Sequence, residues 1–160
     1  MTFLLTPGQT NIWELRLRGH RAAEISRQMG KSRQYVSKSL QSADSKIYRA
    51  LAEAARMNKA MIKVLDPERG FALGYTREFD SSILITFSPR DGINIWRSHE
   101  GQCKGCPDEV SCRRLLLGEA ERLGVALEKK EKDLPAARLA GVIFTRAWPQ
   151  AREVFGEDQA

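Results

Sequence analysis

Three cysteines fall within one ten-residue stretch, Cys103-x-x-Cys106-x5-Cys112. A Cys-x-x-Cys turn brings two thiolates onto one ion, and soft sulfur donors suit Zn2+ or an iron–sulfur cluster. Cys112 stands at the start of a Leu-rich stretch that reads as a helix, and a helix N-terminus favours the thiolate. Gly101 and Gly105 allow tight turns, and Lys104 lowers the cost of gathering thiolates. His99 lies four residues before Cys103 and completes a Cys3His set with Cys103, Cys106 and Cys112. An odd cysteine count in a chain read as cytoplasmic argues against a disulfide framework. Clusters are normally held by four cysteines, which counts against iron–sulfur here. Three reduced cysteines with no metal are the plain alternative. The expectation is one metal centre, Zn2+ or iron–sulfur, with the choice between them open.

A second set of residues has the chemistry of duplex recognition. Arg33 and Lys38 can donate to guanine O6 and N7, and Gln34 and Gln41 can pair with adenine N6 and N7. Tyr35 and Ser37 can reach phosphates or a thymine methyl. Lys31 and Ser32 lie at a helix start, whose free N–H groups favour a phosphate. Arg21 and Arg27 can hold the backbone from the preceding helix, which sets register without reading sequence. Residues 1 to 64 carry 12 Lys and Arg against 4 Asp and Glu, a surplus of +8, whereas residues 65 to 160 carry 14 against 16. A locally basic region is the electrostatic footprint of phosphate binding. A solvated surface with no partner would carry the same charges.

The elements that must position these residues begin at Thr6-Pro7-Gly8-Gln9, a capping box with proline at the first helical position. Ile12, Trp13 and Leu15 give that helix an apolar side, and Gly19 ends it. A second helix runs from about Arg21 to Met29, with Ala22, Ile25 and Met29 on one face and Gly30 closing it. Ser32 caps a third helix with Val36 and Leu40 inward, which turns the duplex-reading side chains outward. Leu40, Ile47, Ala54 and Met61 then recur every seven residues, with Ala43, Ala50, Met57 and Val64 three later. This heptad pattern carries the third helix on to Asp66-Pro67 and offers a seam for a homodimer. An ordinary amphipathic helix packed on its own domain shows the same spacing.

Farther on, Ile83–Phe87 and Ile93–Arg97 read as strands joined through Ser88-Pro89-Arg90-Asp91-Gly92 into a β-hairpin. Leu115 to Leu123 is helical and stops at Gly124. Val125 to Leu127 is a candidate strand, Lys129 to Asp133 a solvated loop, and Leu139 to Trp148 an apolar segment of open type. The expected fold is α+β. Residues 1–66 form a helix-turn-helix unit with a long third helix. Residues 67–160 form a small α+β domain with a hairpin and a cysteine-rich metal loop.

Thr6-x-x-Gln9, Glu24-Ile25, Met29-Gly30, Ser32-Arg33, Val36-Ser37, Ala43 and Lys46-Ile47 resemble the helix-turn-helix of sigma-factor region 4 and LuxR-type regulators. Within that class, Ser32-Arg33-x-x-Val36-Ser37 with Ala43 and Lys46-Ile47 most resembles the archaeal Tfx-type DNA-binding proteins. The resemblance covers about residues 4 to 55 and implies a transcription regulator. Ser26 stands where such motifs usually carry Ala. The stretch Cys103-x-x-Cys106-Pro107-x4-Cys112 with its Leu-rich helix resembles the iron–sulfur segment of WhiB-type regulators, without their additional upstream cysteine.

The chain therefore reads as a sequence-specific DNA-binding regulator with a metal- or redox-responsive second domain. A zinc-stabilised adaptor that binds a protein partner is the alternative. No phosphate-binding loop, nucleophile elbow or paired-carboxylate pattern points to an enzyme. A thiol oxidoreductase lacks its βαβ context. No apolar run approaches the roughly 20 residues of a membrane span. The N-terminal segment lacks the features of a signal peptide, so a cytoplasmic location is expected.

Overall fold

A computed structural model describes residues 4–97 and 103–156. Three helices come first: α1 (Pro7–Leu17), α2 (Ala22–Met29) and α3 (Arg33–Met57). Four strands follow: β1 (Ala60–Asp66), β2 (Phe71–Thr76), β3 (Ser81–Ser88) and β4 (Gly92–Arg97). They pair antiparallel in chain order. The chain then turns helical again, with α4 (Glu109–Leu123), α5 (Lys129–Lys132), α6 (Ala136–Ala147), a 3-10 turn at Pro149–Ala151, and α7 (Arg152–Phe155). The class is α+β, and no described helix is long and apolar enough to cross a membrane.

The local signals at the start of the chain act as their chemistry requires. Thr6 Oγ1 accepts from Gln9 N at 3.2 Å, and Gln9 Oε1 accepts from Thr6 N at 3.1 Å. Gly30 ends α2 in the left-handed region at φ 61°, where glycine has no Cβ to clash. Ser32 Oγ accepts from Tyr35 N at 3.1 Å and starts α3.

The heptad continuation of α3 does not survive. The helix stops at Met57, Asn58 caps it, and Lys59 takes a positive φ of 51°. Met61 and Val64, expected on the helix, lie in β1. Residues 60–65 alternate poorly and are rich in helix formers, so local pattern favours helix there. What overrides it is pairing with β2, which runs in register from Ala60↔Thr76 to Asp66↔Phe71 with one irregularity between Ile62 and Val64. Gly74 permits that approach, because a Cβ there would lie 3.0 Å from Met61 O. β2 escapes a sequence reading because this glycine interrupts its apolar run. One local signal did exist: Asp66-Pro67-Glu68-Arg69-Gly70 has the same turn chemistry as the stretch before β4.

The β3–β4 hairpin forms as expected, from Ile83↔Arg97 to Ser88↔Gly92. Val125 to Leu127 is not a strand but an irregular connection, and Lys129–Lys132 forms one exposed helical turn. Arg146 bridges both pieces, donating to Ala126 O at 3.0 Å and pairing with Glu131. That bond gives Val125–Leu127 a partner other than a sheet.

The sheet is covered on both faces, which explains why β2 and β3 are nearly continuous apolar runs. On one face, Ala72, Ile83, Ile85 and Phe87 pack with Ile47, Leu51 and Ala55 of α3 and Trp13 of α1. On the other, Phe71, Leu73 and Leu84 pack with Leu116, Leu139, Ile143 and Phe144. Trp148 stacks on Phe71 at 4.5 Å between ring centres. Two of the eight positions of the expected dimer seam are used internally: Ala43 and Ile47 are buried in the chain's own core.

Gly70 joins these layers. Its φ is 77°, and a Cβ would lie 3.0 Å from the Trp13 ring and 3.1 Å from Phe87 O. A Gly70→Ala variant is expected to lose about 1–3 kcal/mol of stability, measured by urea denaturation. An unchanged midpoint would remove this close approach as a constraint on the fold.

Candidate nucleic-acid interface

A compact apolar centre holds α1, α2 and the first turns of α3 together. Ile12, Ile25 and Val36 are fully buried, with Leu15, Met29 and Leu40 packed around them. These residues come from all three helices, so their packing fixes how α2 and α3 cross. Ser26 contributes more than its place in the motif suggested. Its hydroxyl donates to Lys31 O at 2.5 Å, and its carbonyl accepts from Lys31 N at 3.1 Å. Ser26 therefore ties α2 to the turn that leads into α3.

Two polar links anchor α1 along α3. Arg16 donates to both carboxylate oxygens of Asp44, at 2.8 and 2.5 Å, a bidentate geometry that resists rotation. Gln9 Nε2 donates to Ser42 Oγ, and Lys46 Nζ donates to Gln9 Oε1, both at 2.9 Å. These bonds use Asp44 and Lys46 internally.

With Val36 buried, the other side of α3's first turns is open. Lys31, Ser32, Arg33, Gln34, Tyr35, Ser37, Lys38 and Gln41 line it. Arg21 and Arg27 are exposed on the α2 side. Among the described residues, none of the five cations Arg21, Arg27, Lys31, Arg33 and Lys38 has a carboxylate partner within ion-pair distance. Lys31 Nζ lies 5.5 Å from the Tyr35 ring centre, which restrains both at the helix start. Glu24 is engaged elsewhere: it accepts from the capping N–H of Arg21 and lies 3.8 Å from His20 Nδ1. The face is therefore cationic, with hydrogen-bonding side chains between the charges.

The cysteine stretch lies elsewhere, between β4 and α4. His99 falls outside the described residues. Cys103 is buried, Cys106 exposed and Cys112 half-buried. The backbone turns tightly, with Cys106 N donating to Cys103 O at 3.0 Å and Gly105 at φ 83°. Ala137 N, in the first turn of α6, donates to Cys103 Sγ at 3.4 Å. Among the described residues no three Cys, His, Asp or Glu side chains form a group that could hold a metal ion. Burial pushes the Cys112 thiol up from its ordinary value of 9.0, and Asp108, Cys106 and Cys103 push in the same direction. Cys112 is the fourth residue of α4 and lies in its first turn.

No protein-family model, curated protein or solved structure matches the chain.

The thiols should differ in reactivity accordingly. In metal-free, reduced protein near pH 7, iodoacetamide is expected to modify Cys106 first. Cys112 should follow more slowly, with a rate that is still climbing at pH 9, since its pKa is raised above that ordinary value. Cys103 should react last. Peptide mapping by mass spectrometry reads the order, and early modification of Cys103 would contradict its burial.

Proposed function

We propose that this chain binds double-stranded DNA through the exposed start of α3 and acts as a transcription regulator. The observation that carries the reading is the open cationic face. Arg33, Gln34, Lys38 and Gln41 project from a helix whose opposite side is locked into a buried centre. Such an arrangement suits a helix-turn-helix, with α3 in the major groove and α2 across the backbone. Lys31, Ser32 and Tyr35 sit where phosphates would approach the helix N-terminus. Arg21 and Arg27 would position the duplex, and Arg33, Gln34, Lys38 and Gln41 would read it.

The second part of the reading is a metal centre on Cys103, Cys106 and Cys112, either zinc or iron–sulfur. It rests on the spacing of the thiols in the sequence. The described side chains do not form a ligand set, so no step of DNA binding is routed through a metal.

Two measurements test the two parts separately. A duplex site selected from a random pool should bind with an affinity that falls steeply as salt rises. Arg33→Ala should weaken discrimination at one base position by about 1–3 kcal/mol. Absence of duplex binding at low salt would leave the helical face to a protein partner and support the adaptor reading. For the metal, protein purified without oxygen should contain either one zinc per chain or iron with sulfide and visible absorbance. Protein with neither would remove the centre.

A further inference from the structure

A cavity of about 400 Å3 opens at the edge of the sheet, where β4 meets α4, α6 and α7. It is separate from the cationic face of α3, and its volume lies within the range of small-molecule sites, about 300–1,000 Å3. Most of its wall is apolar. Trp96 comes from β4, Leu116 from α4 and Phe155 from α7, and the α6 wall is made by Ala136, Ala137 and Ala140. These three alanines keep the space open, since a longer side chain at any of them would project into it. The Trp96 ring is held in place from below, its Nε1 donating to Thr86 Oγ1 at 2.9 Å and its ring centre 5.2 Å from that of Phe144.

One strong charge enters this apolar wall. Arg97, half-buried at the end of β4, lines the cavity beside Asn58. Its guanidinium donates to Thr76 Oγ1 at 3.3 Å and to Asn58 Oδ1 at 3.4 Å. Both acceptors are neutral, and both distances are at the long end for hydrogen bonds. Among the described residues no carboxylate lies within ion-pair distance of Arg97. The exposed Phe79 ring lies 4.9 Å from the guanidinium carbon and restrains it. A cation that lines an apolar cavity, and whose acceptors among the described residues are weak and neutral, is suited to a planar anion, which it can bind through two parallel N–H donors.

We propose that this cavity binds a small, largely apolar molecule that carries one carboxylate. The carboxylate sits on Arg97, and the apolar body lies against Trp96, Leu116 and the α6 alanines. The inference does not depend on DNA binding, and it is tested without DNA.

The reporter is the anionic dye 8-anilinonaphthalene-1-sulfonate, titrated into the intact chain and followed by its fluorescence. Competitors are decanoate and indole-3-acetate, each compared with its neutral alcohol, decanol or indole-3-ethanol. The expected result is saturable one-to-one dye binding, with the acids displacing it at concentrations at least tenfold lower than the alcohols. Arg97→Met should erase that difference between acid and alcohol. Ala140→Leu should abolish dye binding by filling the cavity. Ala137→Leu, at a half-buried position, makes the same test if the Ala140→Leu variant melts without cooperativity. The proposal is overturned if the wild-type chain binds no dye saturably. It is equally overturned if the alcohols compete as well as the acids, or if binding survives unchanged in both Arg97→Met and the cavity-filling variant.

Discussion

The 25-residue helix α3 carries one apolar stripe that serves two different partners. Its first turns bury Val36 against Ile12 and Ile25, and its later turns bury Ile47, Leu51 and Ala55 against the sheet. A long helix is stable mainly through such packing rather than through intrinsic propensity. Because both halves are held, the side chains at its start have a defined direction. Arg33, Gln34 and Lys38 point outward because Val36 cannot leave the interior. The bidentate Arg16–Asp44 pair adds a fixed rotation of α1 about α3.

The sheet is the common floor on which this helix and the later helices rest. Its far face holds an aromatic cluster in which the Phe144 ring centre lies 5.8 Å from that of Trp148 and 6.0 Å from that of Phe155. Contact also passes around the sheet's end. Arg122 of α4 lies 5.9 Å from the Trp13 ring of α1 and pairs with buried Glu119 at 2.6 Å. The helical head and the later helices are therefore joined by direct packing as well as by the chain. Asn58, which ends α3, lines the cavity that also contains Arg97. The cationic face and the cavity thus occupy opposite ends of one helix.

Local chemistry was legible from the residues wherever a short stretch contained its own partner. The Thr6/Gln9 box, the glycine end of α2, the Ser32 cap and the β3–β4 hairpin each satisfy their backbone groups within a few residues. The outward set on α3 followed from Val36 and Leu40 at helical spacing and needed no tertiary information. The role of Ser26 was not legible, because its acceptor is a backbone carbonyl five residues on, across a turn.

Residues 58–76 show where such reasoning stops. Alone, Met61 and Val64 continue a heptad; in the fold they belong to a strand, because β1 finds its hydrogen-bond partners in β2. Strand pairing is non-local and can override a weak helical preference. The same holds for the cavity, whose wall is drawn from Asn58 through Phe155 and has no signature in any window of sequence. The amino-acid sequence by itself determined the caps, the turns and which side chains of α3 lie opposite Val36 and Leu40, because those depend on neighbours along the chain. Only the tertiary structure decided that Ile47, Leu51 and Ala55 are buried against a sheet and that Arg97 lines an apolar cavity. Both depend on which distant surfaces must be buried together.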